Sequence, residues 1–275
     1  MKLVSFNAGL LIYDLLKIPF FTPVPFLKER LRSLPEELLK IDADMLFLQE
    51  VYHTKHKKFL TQALARNYPY SFYVNKGYRI SMENGLTIFS KNPIRDAELI
   101  PFERTTWDEY IFAKTGYTRM LVDYSGVRIF IYNVHLTAGG IVGPESKKAE
   151  KLRGHQVEQL LKDVESNSSE FSIILGDLNC GPKVSSMNFS AFEAAGFTGF
   201  GDNIQTWDPK NSLNIDGIHK HCPSQCIDHI LFNDNIKNLF ANSTSQLIFN
   251  RSDVLTRKGM VSVSDHYGIL SELKI

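Results

Sequence analysis

The chain alternates short, almost wholly apolar runs with stretches whose apolar residues recur every three or four positions. The most compact run is Ser172-Ile173-Ile174-Leu175, which closes in Gly176-Asp177-Leu178-Asn179-Cys180. An apolar run of four to eight residues bounded by turn formers reads as a buried strand. Runs of the same kind predict strands from Leu3 to Asn7, Met45 to Glu50, Tyr70 to Val74, Gly85 to Ser90, Tyr117 to Tyr124 and Val127 to Leu136. Ser125-Gly126 between the last two predicts a hairpin turn. Further strands are predicted from Ile227 to Phe232, Gln246 to Phe249 and Tyr267 to Leu273. Helical spacing predicts a helix from Leu27 to Ile41, which Pro35 can kink or split, and a basic one from His53 to Asn67 with Phe59, Leu60, Ala63 and Leu64 inward. A long helix from Glu145 to Val164 and a short one from Ser190 to Ala195 complete the pattern. Strands mixed with helices and hairpins, with no repeat or linker between them, predict an α/β (α+β) sheet sandwich in one domain spanning 1–275.

The polar residues within this pattern carry the chemistry. Asn7, Glu50, His135 and Asp177 stand at the ends of apolar runs, whereas Asp228, Asp265 and His266 stand at the starts of others. In a mixed sheet, ends of strands running one way share a rim with starts of strands running the other way. All seven can therefore face one cleft. Asp177 and Asn179, two apart, project together if the chain stays extended; a carboxylate beside an amide suits a hard divalent cation or a phosphate next to one. Gly-Asp-Leu-Asn alone could equally be a turn.

Composition changes this picture little. The 275 residues are 43% hydrophobic and 22% charged, as in an ordinary globular protein, and the net charge of +1 advertises no global field for nucleic acid. Three cysteines form no closed disulfide framework and read as reduced thiols. No signal-peptide core opens the chain, so a cytoplasmic protein is expected, peripheral to membranes at most. The apolar stretch from Leu10 to Phe26 is broken by Asp14, Lys17 and three prolines and cannot span a bilayer as one helix. It reads either as a packed loop or as a loop that dips into lipid beside Asn7.

Ser-Phe-Asn at Asn7, Gln49-Glu50, Asn133-Val134-His135-Leu136, Gly176-Asp177-Leu178-Asn179, Ile227-Asp228-His229-Ile230-Leu231 and Ser264-Asp265-His266 resemble the endonuclease/exonuclease/phosphatase superfamily, in its order and over nearly the whole chain. Gly85 to Lys91, and Thr206-Trp207-Asp208 with Asn211, are similar to neutral sphingomyelinases. The resemblance implies a four-layer sandwich of two mixed sheets flanked by helices and Mg²⁺-dependent (or Mn²⁺-dependent) phosphodiester hydrolysis. The implied substrate is a phospholipid or sphingolipid headgroup at a membrane surface. A nuclease of abasic-site type, or an inactive binding module, are the rivals. One departure is His229, which creates a second Asp-His pair.

Carried onto these residues, the resemblance makes Glu50 the metal ligand, supported by Asn7, with Asp265 as a further or outer carboxylate. His266 becomes the base that activates water and Asp228 its orienting partner. Asp177 orients the water, and Asn179 and His135 donate to phosphate oxygens. His229 follows Asp228 on a strand and is expected on the opposite face. Trp207, Asp208 and Arg119 are candidates for substrate contact. His219, His221, Cys222 and Cys226 match no familiar zinc spacing, and Lys55 to Lys58 read as a solvated basic face.

Overall fold

The apolar runs become strands and the periodic stretches become helices, with the shifts noted below. The computed structural model describes residues 1–15, 18–74, 83–107, 109–138, 146–167, 170–200, 204–217 and 220–275. The first half holds β1 (Lys2–Asn7), β2 (Tyr13–Leu15), β3 (Ile18–Phe21), α1 (Leu27–Ile41), β4 (Met45–Gln49), α2 (Thr54–Leu64), β5 (Tyr70–Phe72), β6 (Thr87–Ser90) and β7 (Arg95–Pro101). A π-helical turn at Glu109–Ala113 leads into β8 (Gly116–Tyr124), β9 (Val127–His135), α3 (Lys147–Ser166) and β10 (Phe171–Asp177). Then come α4 (Ser186–Ala194), β11 (Phe197–Thr198), β12 (Asp228–Asn233), α5 (Asp234–Leu239), β13 (Thr244–Ile248), β14 (Val254–Thr256), β15 (Gly259–Val261) and β16 (Gly268–Glu272).

Two six-stranded mixed sheets form the centre, in the orders β13-β16-β1-β4-β6-β5 and β11-β12-β10-β9-β8-β7. They repeat one arrangement. Each has a parallel pair at its middle, β1 with β4 and β9 with β10, and each pair is flanked by an antiparallel strand, β16 or β12. The C-terminal ends of the parallel pairs and the starts of β12 and β16 therefore meet at one rim.

Period-two alternation builds the layers. Leu3, Phe47, Ile131, Ile173, Leu175, Ile230 and Ile269 point between the sheets and pack as the inner core. Val4, Phe6, Leu46 and Leu48 point the other way, onto Leu34 and Leu38 of α1 and Leu60 and Leu64 of α2. Tyr132, Val134 and Ile174 likewise cover the opposite outer face, against Val157 and Leu160 of α3 and Phe189 and Phe192 of α4. The result is the four-layer sandwich that the resemblance implies. Each such side chain, taken fully from water, contributes about 1.5–3 kcal/mol. Pro35 does not split α1, which runs unbroken through it with Leu34, Pro35 and Leu38 all buried. Phe59 is 36% exposed rather than inward, and Lys57 takes its place on the buried face of α2.

The stretch from Leu10 to Phe26 is neither pure loop nor pure surface. Leu10 and Val24 are core, β2 and β3 pair between them, and Phe21 is exposed. Leu16 lies outside the described residues. A second small hairpin, β14–β15, carries Leu255 directly opposite Met260, and both are exposed. Among the described residues, no helix is long and apolar enough to cross a membrane.

Candidate active site

The inward face of each central strand turns from apolar to polar along its length. On β1 it reads Leu3, Ser5, Asn7; on β9 Ile129, Ile131, Asn133, His135; on β10 Ile173, Leu175, Asp177. The last inward positions therefore meet at the rim, directly above the inner core. Asp177 pairs in register with His135 on one side and Asp228 on the other. Below them Gln49 donates from Nε2 to Asn133 Oδ1 across the two sheets at 2.8 Å, a polar floor that joins two of the motifs.

Glu50 reaches the site by breaking the alternation. Gln49 already points inward, so an extended Glu50 would face outward; instead its backbone is left-handed, with φ of 58°. Such a conformation costs a non-glycine residue on the order of 1–3 kcal/mol and collects at functional sites. Asn179 shares it, with φ of 46°. Asn7 Nδ2 donates to Glu50 Oε1 at 3.2 Å and to Asp177 Oδ2 at 2.9 Å, so one amide holds two carboxylates that would otherwise repel. Asn7 Oδ1 is occupied by the Gly9 N–H at 3.0 Å. Asn7 thus faces the cleft with its nitrogen.

Asp177 Oδ2 is the hub. Beyond the Asn7 bond, it lies 3.6 Å from His135 Nε2 and 3.9 Å from His266 Nδ1, and Oδ1 accepts from the Asn179 N–H at 2.9 Å. The side chain of Asn179 donates one N–H to Leu136 O at 2.9 Å. His266 Nδ1 is 2.9 Å from Asp228 Oδ2, which fixes the tautomer and leaves Nε2 to carry a lone pair when the ring is neutral. The Thr206 hydroxyl accepts from the Asp228 and Ile227 N–H groups at 3.0 and 3.2 Å, pinning the dyad's backbone. Ser264 Oγ donates to Asn7 O at 2.7 Å, joining the two ends of the chain at the site. Ser264 was visible only as the first letter of Ser-Asp-His.

Electrostatics follow from this crowding. Burial disfavours a charged His266, but Asp228, then Asp265 and Asp177, outweigh it and hold the imidazolium well above its usual range. Burial, with the Asp265 charge, pushes the Glu50 carboxyl up, while His135, His266 and the Asn7 bond pull it down. The Asp265 charge thus acts on both Glu50 and His266. Burial drives His229 down to about 4, so it stays neutral. Its Nε2 donates to Cys180 O at 2.8 Å and its ring packs 4.7 Å from Phe189, on the outer face away from the dyad.

The remaining candidates differ in how near they come to this cluster. Arg119 is tied to Asp163 at 2.7 Å and to Glu98, on the far side of its sheet, and is not brought to the cleft. Trp207 pairs in a short bridge with His266 and packs on Val184 and Ile227, 8% exposed. Asp208 accepts from the Lys210 N–H and from Ser224 Oγ within its own loop. Cys222 packs with Trp207, Cys226 Sγ lies 3.9 Å from His229 Nδ1, and His219 is outside the described residues. Among the described residues, the side chains that converge as a possible metal site are Asp177, Asp228 and His266.

A family model for the Endonuclease/Exonuclease/phosphatase family matches residues 4–266. The chain belongs to this family. No curated protein sequence matches it. Among solved structures, sphingomyelinase C from Streptomyces griseocarneus is 18% identical, with a TM-score of 0.78 and 98% of each chain covered. Beta toxin from Staphylococcus aureus, in a variant with bound magnesium ions, is 17% identical with a TM-score of 0.80 and 99% of each chain covered. Truncated TDP2 from Caenorhabditis elegans is 16% identical with a TM-score of 0.69, covering 100% of this chain and 97% of that one. At such identities the likeness is one of fold. This endonuclease/exonuclease/phosphatase chain thus has a phosphodiesterase fold with a cluster of hard oxygen and imidazole donors at its rim.

Proposed function

We propose that the chain is a divalent-metal-dependent phosphodiesterase of sphingomyelinase type, hydrolysing the headgroup ester of a phospholipid or sphingolipid at a membrane surface. The observation that carries the hydrolase reading is the Asp228–His266 pair set beside Asp177, Asn7 and Glu50 on one rim. The donor chemistry suits Mg²⁺ or Mn²⁺: Glu50 and Asp177, bridged by the Asn7 amide, offer hard carboxylate oxygens, and the Asp265 charge that raises the Glu50 carboxyl is what a cation would relieve. Glu50 would hold it, with Asp265 close by. When bound, the cation supplies neutralisation of phosphate charge.

The protein's own groups do the rest. His266 Nε2 takes the proton of the attacking water while Asp228, on Nδ1, stabilises the imidazolium that forms. Asp177 orients that water and fixes His135 and Asn7 around it. The free N–H of Asn179 and the ring of His135 donate to phosphate oxygens, whose charge grows as water adds.

Preference for lipid rests on the β14–β15 hairpin. Its exposed Leu255–Met260 pair is flanked by exposed Arg251, Arg257 and Lys258. Apolar tips among cations suit an anionic or zwitterionic lipid surface. The bland reading of one exposed leucine does not cover a cross-strand pair. Assay against sphingomyelin vesicles, lysophospholipid and abasic-site duplex, with Mg²⁺ and with chelator, tests this. Metal-dependent release of headgroup phosphate supports it. Cleavage of duplex alone overturns the lipid reading, and no turnover of any of them by folded protein overturns the hydrolase.

A further inference from the structure

Arg30 sits on the buried stripe of α1 and is wholly shielded from solvent. A guanidinium has five N–H donors, and here each meets a main-chain carbonyl. Nε donates to Pro25 O at 2.9 Å, Nη1 to Ala8 O at 3.1 Å and Val263 O at 3.2 Å, and Nη2 to Gly9 O at 2.8 Å and Val24 O at 3.2 Å. None of these five partners is a carboxylate. Burial lowers the Arg30 pKa to about 10, with Asp265 and then Glu50 opposing, so the group is charged at neutral pH.

A buried cation without a bonded carboxylate is a poor way to stabilise a core, where an apolar side chain of similar volume often does as well or better. What Arg30 does instead is join three segments far apart in sequence. Ala8 and Gly9 follow Asn7; Val24 and Pro25 leave the β2–β3 hairpin; Val263 leaves the β14–β15 hairpin and precedes Ser264-Asp265-His266. Gly9 sits between the two charges. Its φ is +56°, and a Cβ there would lie 2.4 Å from Asp265 Oδ1 and 3.5 Å from Arg30 Nη1.

We propose that Arg30 is a positioning residue for the metal end of the cleft: by holding the Ala8, Gly9 and Val263 carbonyls on one planar group, it sets Asp265 against Asn7 and Glu50. This rests on the metal-dependent reading above. Outer groups that orient ligands in this way typically change metal affinity about 10–100-fold when removed.

The test is Mn²⁺ binding to the full chain, followed by electron paramagnetic resonance or calorimetry without substrate, for wild type, Arg30→Met, Arg30→Lys and Leu38→Ala. Leu38 is fully buried on the same helix and its side chain has no donor with which to hold these carbonyls, so it reports general loosening of α1. Arg30→Met should bind Mn²⁺ about 10–100-fold more weakly, Arg30→Lys should recover part of the loss, and Leu38→Ala should melt lower with Mn²⁺ affinity unchanged. Where activity is measurable, turnover should fall with the affinity. Wild-type affinity in a folded Arg30→Met or Arg30→Lys overturns the proposal, as does an equal loss in Leu38→Ala. An Arg30→Lys chain that fails to fold while Leu38→Ala folds makes Arg30 a fold determinant, and also overturns it. A wild-type chain that binds no Mn²⁺ removes the metal reading itself, a result distinct from the others.

Discussion

His229 and His266 each follow an aspartate, and the structure assigns them opposite surroundings, so their removal separates chemistry from stability. His266→Ala deletes the ring bonded to Asp228 at 2.9 Å. A general base contributes about 10²–10⁴ in rate, which is about 3–5 kcal/mol of activation free energy. His229→Ala deletes a ring that is 6% exposed, bonded to Cys180 O and packed on Phe189. Leaving a buried carbonyl unpaired and a ring-sized gap should cost about 2–4 kcal/mol of stability. At about 2 °C per kcal/mol for a chain of this size, Tm should fall by about 4–8 °C. The assay is turnover of a soluble chromogenic phosphodiester at a temperature where both variants are folded by circular dichroism. His266→Ala should lose turnover while still folded, and His229→Ala should lose stability while keeping its turnover. A folded His229→Ala without turnover, beside an active His266→Ala, would mean that the wrong Asp-His pair has been assigned.

Four more outcomes are expected. Glu50→Gln should stay folded yet lose most turnover and need much more Mg²⁺, because an amide is a weak anchor for that ion; unchanged Mg²⁺ dependence would exclude Glu50 as the ligand. Because Asp228 raises the His266 pKa, the acid limb of the pH–rate profile should move to lower pH in Asp228→Asn, and an unmoved limb would show that another group controls it. The same raised pKa stabilises the folded metal-free protein fully below about pH 6.5, and the gain is lost as pH rises through the folded value, so Tm should fall more steeply above neutrality in wild type than in His266→Ala. Leu255→Ser with Met260→Ser should weaken vesicle binding and vesicle hydrolysis while sparing the soluble substrate; equal losses on both would make the hairpin structural.

Much of the sandwich could be read from the chain because its two parities carry different burdens. On β1 and β10, most positions of both parities are apolar, with one serine in each, until the last inward one, so strand, layer and site were visible in the same few letters. The short edges were not. β7 mixes charged and apolar residues and is half exposed, and its Glu98 is one of the groups that hold Arg119 away from the cleft. β2, β3, β14 and β15 are three or four residues each, too brief for a period to register. Lys57 looked like part of a solvated basic run, but its Nζ donates to Asn84 O at 2.6 Å and lies 3.5 Å from Glu83, contacts that no local pattern encodes. Arg30 stands on the stripe of Leu27, Leu31, Leu34 and Leu38; a charged residue inside an apolar stripe was the available signal.

The bond from Ser264 to Asn7 spans 257 positions, and β16 enters its sheet between β13 and β1. Asn7 must therefore wait for Ser264, and with it for Asp265 and His266, before its surroundings are complete. Glu50, His135 and Asp177 can be in place while the cleft still lacks both His266, its proposed base, and the adjacent Asp265. Closing so long a loop is also a slow step, since its entropy is lost before the contacts that offset it form. On the proposed reading, hydrolytic capacity is in this way tied to the meeting of Asn7 with Ser264, Asp265 and His266: a partly refolded molecule in which they have not met is inert toward phosphodiesters. In a refolding experiment, activity should return with the slowest phase, after the circular dichroism signal of the first sheet-forming strands has already recovered.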